Sequence, residues 1–332
     1  SLAVRRMRAD ELEGWVAGLF AKAGIPEPEA RAVAGSLVAA DMEGVPSHGV
    51  MLVPMYLERL RAGSISKATQ ARVAHDGGAA VVLDAGHMLG QLSARQAVSL
   101  AAERAKRHGL ASVAVRNGFH FGTAGYWARA IAAQGLVGIA LSNTRPLMPP
   151  PGGAERVVGN NPIALAFPST GETLVVDMAM SATAMGKIRL AEAAGKPIPE
   201  GWATDAEGRP TSDAAAAIKG MLLPAAGPKG FGLAVAIDLL CGALSGGSIT
   251  AGVLGMNWAS LVFNEGKAAN FGDLVVMPGL VEAHFHPTYF NVAALEDLDI
   301  KYPVEYVTLL AAANAKLALE CGYTAARSGG SL

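Results

Sequence analysis

The sequence predicts an α/β fold in which a helical N-terminal region precedes a domain of alternating strands and helices. Two observations support this prediction. Over the first 65 residues, apolar side chains recur at spacings of three and four, which is the period of an amphipathic helix. From about His75 onward, short apolar runs alternate with longer alanine-rich segments, a pattern typical of strands that alternate with helices.

Two helices are predicted before residue 45. The apolar face of the first helix consists of Leu12, Trp15, Val16, Leu19 and Phe20. The second helix follows Pro26, a residue favoured at helix starts, and ends near Gly44. A third helix is predicted directly after Ser47, whose hydroxyl could cap it.

The middle of the chain is predicted to hold short strands with helices between them. The clearest helix, residues 91–108, ends in three basic side chains followed by Gly109, which together suit a helix C-terminus. Strands are predicted at residues 81–83, 110–115, 136–141, 163–167 and 173–177, and helices at 124–134, 182–194 and 230–244. After residue 247 the pattern predicts a strand at 274–276 and a helix at 304–321.

Composition favours a small-molecule partner. The 332 residues are 51% apolar and 17% charged, and 27 basic and 28 acidic side chains leave a net charge of −1. Such a balance gives no broad attraction for nucleic acid or for an anionic membrane surface. Cys241 and Cys321 lack metal or redox spacing, and no apolar run resembles a signal peptide or a membrane span. The sequence therefore predicts a cytoplasmic location.

Two of the seven histidines, His48 and His120, lie beside glycines where helices are predicted to begin. A side chain at such a junction can face a cleft. Histidine is a common proton donor, and the reduction of a ketone or an imine by hydride transfer needs one. The alternative is that each histidine only caps or packs.

No G-x-G-x-x-G motif occurs, so the sequence does not support a Rossmann dinucleotide site. Three other glycine-rich segments are present: Gly152-Gly153, Gly159-Asn160-Asn161-Pro162 and Gly227-Pro228-Lys229-Gly230. The last directly precedes a predicted helix, where backbone N–H groups and a lysine can bind an anion. Ordinary turns are the alternative interpretation of each.

Several ordered segments between about Leu12 and Gly247 resemble the type 2 malate/L-lactate dehydrogenase family. This family also includes ureidoglycolate, sulfolactate and diketogulonate oxidoreductases and reductases of cyclic imino acids. The matching segments are Ser47-His48-Gly49-Val50 with Pro54 and Tyr56, Asn117 to Gly125 with Tyr126, Gly159 to Ala164, Val176 to Ala179, and Gly227 to Leu233 with Asp238.

The resemblance implies a non-Rossmann domain with a largely antiparallel sheet, a site for NAD or NADP, and a homodimer. It implies that His48 or His120 donates the proton, that Ser47 orients His48, and that Asp177 positions a catalytic group. The segments implied to contact the cofactor contain Ser142, Gly159, Asn161, Asp177, Met178, Ala179, Lys229 and Gly230.

The chain departs from the family pattern at two places. Many members have an arginine four residues after the first histidine, which suits a substrate carboxylate, whereas this chain has Leu52. Arg116 or Arg145 could substitute as the substrate-binding cation. The family also continues into a further strand and a Pro-Gly-Glu turn beside the cofactor, and neither is recognisable in this sequence.

From about residue 256 the sequence instead resembles the beginning of an amidohydrolase. On a strand, His284 and His286 would point the same way, as two ligands of one metal must. No histidine follows them, so the usual ligand set is incomplete. The segment is interpreted as a foreign join near residues 247–256, or as a divergent C-terminus that resembles the hydrolase by chance.

Three domains are therefore expected: a helical region at residues 1–75, a cofactor and substrate domain at 76–247, and an amidohydrolase-like strand-helix fragment at 248–332. The main functional hypothesis is an NAD(P)-dependent oxidoreductase of a small 2-oxo or 2-hydroxy acid or a cyclic imino acid. Two alternatives remain: a metal-dependent hydrolase that uses His284 and His286, and a folded but inactive cofactor-binding composite.

Overall fold

The computed structural model describes residues 7–253, 274–278, 280–285 and 323–328 of the chain. Three helices form the N-terminal region: α1 (Ala9–Lys22), α2 (Glu27–Met42) and α3 (Val53–Ala62). Pro26 immediately precedes α2, and α3 ends at Gly63, whose φ of 75° favours glycine. The helix predicted directly after Ser47 begins later, at Val53.

Two short 3₁₀ turns, Pro46–His48 and Val50–Leu52, occupy the segment before α3. The extended backbone of Gly49, with φ of −96° and ψ of −153°, separates these turns and prevents a continuous helix. Ser47 therefore does not cap α3. The prediction that Ser47 caps a helix that follows it directly is wrong for that reason.

Eleven short strands are described: β1 (Arg72–Asp76), β2 (Ala80–Asp84), β3 (Ser112–Arg116), β4 (Gly138–Ser142), β5 (Ile163–Phe167), β6 (Leu174–Met178), β7 (Ala203–Thr204), β8 (Pro210–Thr211), β9 (Leu274–Pro278), β10 (Leu280–Phe285) and β11 (Tyr323–Ser328). Seven of them form one sheet in the order β1-β2-β3-β9-β4-β5-β6. Every neighbouring pair in it is antiparallel except β2 and β3. The predicted α/β fold with a largely antiparallel sheet is confirmed.

The sheet separates two apolar cores. On β3, Val113 and Val115 belong to the core beneath the N-terminal helices, whereas Ala114 between them belongs to the other. This alternation is the two-residue period of a strand that is buried on both faces. Helices α4 (Gly90–His108) and α5 (Ala124–Ala132) cover the first face.

On the second face lies α8 (Pro228–Asp238), which continues as one π-helical turn, Leu239–Ala243. Two smaller helices, α6 (Met185–Ala193) and α7 (Ala214–Lys219), pack together and contribute to the second core. The β7–β8 hairpin lies beside α7. Among the described helices, none combines the length and apolar character needed to cross a bilayer.

Strand β9 confirms the strand predicted near residue 274, and it lies inside the main sheet. Its Val276 pairs with Val113 of β3 on one side and with Ala140 of β4 on the other. The range 248–332 therefore contributes a strand to the sheet of the middle domain. Beyond it, β10 and β11 pair in parallel. The helix predicted at 304–321 lies outside the described residues. The domain boundary at residue 248 stays a prediction.

Candidate active site

The two histidines singled out by the sequence lie face to face. His48 ends the first 3₁₀ turn, and His120 lies in the loop between β3 and α5. Their ring centroids are 5.4 Å apart and their planes differ by 30°. The fold therefore joins both candidate proton donors in one cluster.

His48 has a hydroxyl on one side and a carboxylate nearby. The Oγ of Ser47 lies 3.0 Å from the Nδ1 of His48, as expected for a residue that orients the ring. Burial lowers the pKa of the half-buried His48, and the negative charge of Asp177 partly opposes this change. At neutral pH the ring is therefore mostly neutral, with its charged form stabilised by Asp177.

Asp177 is held by the first turn of α5. Its Oδ2 accepts a hydrogen bond of 2.8 Å from the backbone N–H of Gly125. A side chain on Gly125 would place its Cβ 2.7 Å from that oxygen, so the approach requires glycine. Although Asp177 as a whole residue is exposed, burial of its carboxylate raises its pKa. The hydrogen bond from Gly125 and the charge of His48 oppose this rise.

The ring of His120 forms a hydrogen bond with a buried tyrosine, Tyr56. Its Nδ1 lies 2.5 Å from the Oη of Tyr56, which also accepts a 2.8 Å hydrogen bond from the Nε2 of Gln91. All three side chains are buried. Burial, together with the neighbouring His48, lowers the pKa of His120 to about 3. His120 is consequently neutral over the whole physiological range.

Several residues implied to contact the cofactor gather at the ends of β4, β5 and β6. Ser142 is buried, and its hydroxyl donates to the carbonyl of Asn143 at 3.2 Å. Asn161 is also buried; it accepts from the Thr144 N–H and donates to the Ala234 carbonyl, both at 2.8 Å. Gly159 packs against Thr144. The side chains of Ser142 and Asn161 therefore form hydrogen bonds within the protein that support the segment between β4 and β5.

Met178 and Ala179 continue from Asp177 toward the start of α8. Met178 is 46% exposed. Just beyond it, the carbonyl of Met180 accepts a 2.8 Å hydrogen bond from the N–H of Ala225. This bond ties the end of β6 to the turn that carries Lys229 and Gly230 at the beginning of α8. The two cofactor segments predicted from sequence are thus adjacent.

A cavity of about 340 Å³ lies beside this turn and falls within the size range of small-molecule sites, about 300–1,000 Å³. It is lined by Pro150, Pro151, Ala182, Gly201, Leu223, Pro224, Ala226 and Gly227. Next to Ala182, the buried hydroxyl of Thr183 has no hydrogen-bond partner among the described residues. The cavity includes Gly227, which directly precedes α8, and backbone N–H groups at a helix N-terminus can bind an anion.

The two candidate substrate arginines differ in their surroundings. The Nε of Arg116 lies 3.2 Å from the Oδ2 of Asp84 in an ion pair. Arg145 forms no ion pair with an acidic side chain of the described residues, and burial together with nearby Arg156 and Arg189 lowers its pKa. Leu52 packs against the first core. Among the residues that the structure describes, Arg145 is therefore the candidate whose charge no carboxylate balances.

No metal site is found in the part of the chain that the structure describes, where no three His, Cys, Asp or Glu side chains cluster suitably. The metal alternative rests on His284 and His286. His286 and the side chain of His284 lie outside what is described.

The sequence predicted no role for two sets of buried polar groups that support the site, although Tyr56 and Asp238 belong to the segments that resemble the family. One is the pair Tyr56 and Gln91. The other is Asp238, whose carboxylate accepts from the Asn143 Nδ2 and from the Thr250 N–H, both at 2.9 Å. These partners are distant along the chain, so no local spacing could have indicated them.

Comparisons with known proteins identify the relatives of this chain. The profile of the malate/L-lactate dehydrogenase family matches residues 7–277, thirty residues beyond the end of the resemblance seen in the sequence. The chain is similar to malate dehydrogenase of Pyrococcus abyssi, with 39% identity over 251 residues that cover 73% of this chain and 69% of the relative. It is also similar to the (2R)-3-sulfolactate dehydrogenase (NADP(+)) of Chromohalobacter salexigens, with 37% identity over 296 residues, 89% of this chain and 85% of the relative.

Among solved structures, the sulfolactate dehydrogenase of Methanocaldococcus jannaschii superposes with a TM-score of 0.76 and 32% identity. The superposition covers 96% of this chain and 92% of that chain. The similarity therefore extends over nearly the whole fold.

Proposed function

Because the chain belongs to the malate/L-lactate dehydrogenase family, we propose that its His48, His120 and Asp177 cluster interconverts a small 2-hydroxy acid with its 2-oxo acid. The chain is a nicotinamide-dependent oxidoreductase of hydroxy and oxo acids with a small-molecule substrate. The proposal concerns the substrate, the roles of the residues and the choice between NAD and NADP.

The proposed substrate is a 2-hydroxy acid with a second anionic group. Malate and sulfolactate, the substrates named in the relatives, share a hydroxyl beside one carboxylate and differ in their second anion. Arg145 is the proposed contact for this anion, because guanidinium groups bind carboxylate and sulfonate oxygens in pairs. The repulsion from Arg156 and Arg189 would be relieved by a bound anion. Arg116 is the second candidate for the same role.

The nicotinamide cofactor supplies the hydride acceptor or donor. The residues proposed to hold it are Met178, Ala179, Lys229 and Gly230, with the Asp177 backbone, because they lie at the end of β6 and at the beginning of α8, two segments that the hydrogen bond from Ala225 to Met180 brings together. Ser142, Gly159 and Asn161 keep a supporting role in this proposal, since their packing fixes the loop between them. NAD and NADP both remain candidates, and the relative with the widest coverage is named for NADP(+).

His48 is the proposed proton donor and acceptor. In the reduction of an oxo acid, His48 gives a proton to the substrate oxygen, and in the reverse direction it takes that proton from the hydroxyl. Ser47 orients its ring through Nδ1, and Asp177 stabilises the charged form. The observation that carries the proposal is that His48 stacks on His120 and is close enough to Asp177 for that carboxylate to stabilise its charged form.

The test is a spectroscopic assay of NADH and NADPH oxidation with oxaloacetate, sulfopyruvate, pyruvate and piperideine-2-carboxylate. We expect turnover with the first two, and we expect Arg145→Ala to raise their KM more than that of pyruvate. Turnover with the imine alone would favour the imino acid alternative. Protection against heat by the cofactor without any turnover would identify the inactive composite.

Assembly as a homodimer is part of the proposal. On β6, the outer strand of the sheet, the alternate residues Leu174, Val176 and Met178 are 62%, 41% and 46% exposed, which leaves an apolar row on one face. A second copy would cover this row. Light scattering of Val176→Lys should then report a monomer, whereas Val73→Lys on the opposite outer strand β1 should leave the dimer intact.

A further inference from the structure

We propose that Tyr56 and Gln91 hold His120 as a neutral imidazole with its proton on Nε2, so that His120 serves as a hydrogen-bond donor and His48 alone exchanges the proton. This inference rests on the proposed function for the identity of the reaction. The tautomer itself can be measured without turnover.

The first step is the direction of the bond between Tyr56 and His120. The Oη–Nδ1 distance is 2.5 Å. Bonds donated by N–H groups usually span about 2.7–3.2 Å, whereas O–H donors reach shorter separations. The contact therefore fits the tyrosine hydroxyl as the donor and Nδ1 as the acceptor. The alternative acceptor for that hydroxyl, the His120 carbonyl, is farther away, at 3.2 Å.

Gln91 supports the same direction. Its Nε2 donates to the Oη of Tyr56 at 2.8 Å and so occupies an acceptor position of that oxygen. The phenol has one hydrogen to give, and the shorter of its two contacts is to Nδ1. A chain of donors then runs from Gln91 through Tyr56 to His120.

The tautomer follows from this chain. In a neutral imidazole one nitrogen carries the proton and the other accepts, and the partner of one nitrogen decides the state of the other. Because Nδ1 accepts from Tyr56, the proton is on Nε2. Burial and the adjacent His48 oppose a second proton on the ring. A neutral imidazole of this kind can polarise a carbonyl group without exchanging a proton.

His48 differs in each respect. It is only half buried, its Nδ1 contacts a serine hydroxyl at the surface, and Asp177 stabilises its charged form. The two stacked rings therefore have different tasks, and Tyr56 and Gln91 act as positioning residues through His120.

The experiment is long-range ¹H–¹⁵N NMR of the full chain labelled at histidine, with the His120 signals assigned by their loss in His120→Gln. We expect the Nε2–H tautomer at neutral pH. In Tyr56→Phe and Gln91→Met the preference should weaken, and kcat should fall about tenfold, the effect of one hydrogen bond. The His48 limb of the pH profile should not move. Tyr126→Phe, a half-buried tyrosine on α5, is the control and should change neither readout.

An Nδ1–H tautomer or a charged His120 in the wild-type chain would overturn the inference. So would an Nε2–H signal unchanged in both Tyr56→Phe and Gln91→Met. If the expected tautomer is found but no oxo acid is reduced, the proposed function fails while the assignment of Tyr56 and Gln91 as holders of His120 stands.

Discussion

His48 and His120 stack with ring centroids 5.4 Å apart, although one precedes the first strand of the sheet and the other follows the third. Their environments separate them chemically. His120 is 7% exposed and bonded to Tyr56, whereas His48 is half buried and near Asp177. This difference assigns proton exchange to His48 and hydrogen-bond donation to His120.

Replacing His48 with alanine should lower kcat by about 10²- to 10⁴-fold, the range for loss of a general acid, with little change in cofactor affinity. His120→Ala should lower kcat less, because it removes a hydrogen-bond donor and leaves the proton donor in place. Steady-state kinetics of both variants would decide the order. A larger loss of kcat in His120→Ala, with only KM raised in His48→Ala, would reverse the assignment of the proton donor.

The pH dependence should follow the pKa of His48, which burial holds below its usual 6.5. Oxidation of the hydroxy acid needs neutral His48, so its kcat/KM should rise with pH through this pKa and then level off. Asp177→Asn removes a charge that raises the pKa of His48, so the rising limb should move to lower pH. Reduction at neutral pH should slow in the same variant. A limb that moves to higher pH would contradict the proposed electrostatic effect of Asp177 on His48.

Asp238 should matter for stability. It is 2% exposed and accepts from the Asn143 side chain and the Thr250 backbone. In Asp238→Ala the half-buried Thr250 N–H loses its partner, whereas the Asn143 amide keeps its 2.8 Å hydrogen bond to the Ser248 carbonyl, so the free energy of unfolding should fall by about 1–3 kcal/mol in total. Urea denaturation would measure this loss. The exposed Asp10→Asn is the control and should stay within about 0.5 kcal/mol of wild type.

Strand β9 should be required for the sheet. A chain ending at Val253 lacks β9 and leaves β3 and β4 with unpaired edges that favour aggregation. We expect it to lose its cooperative thermal transition or to aggregate. A chain ending at Pro278 keeps the strand and should unfold as the full chain does. A foreign join near residue 247 predicts the opposite, a shorter fragment that is as stable as the full chain.

Much of the fold could be predicted from local sequence. The strand at residues 163–167 and the helix end at Gly109 follow from apolar runs and from helix-terminating residues. The segment around Ser47 could not be read correctly, because Gly49 adopts an extended backbone between two short turns. The π-helical turn after Asp238 likewise has no local signal.

The site was predictable only in part. Ser47, His48, His120 and Asp177 were identified by their resemblance to family segments, and the structure brings them together. The family resemblance placed Asn161 and Ser142, like Lys229, in segments that contact the cofactor. In the structure the two side chains donate hydrogen bonds to backbone carbonyls of the protein itself. A sequence alone does not distinguish a residue that contacts the cofactor from one that supports the surrounding backbone. The pairing of Tyr56 with His120 depends on the tertiary fold and has no sequence signal.

The most direct test of hydride transfer at this site uses cofactor that carries deuterium at the transferring carbon of the nicotinamide ring. The chain would be incubated with this reduced cofactor and oxaloacetate, and the product analysed by mass spectrometry. We expect a 2-hydroxy acid with deuterium on C2, formed far more slowly by His48→Ala. A product without deuterium, or no product from folded wild-type protein with either NADH or NADPH, would contradict this expectation.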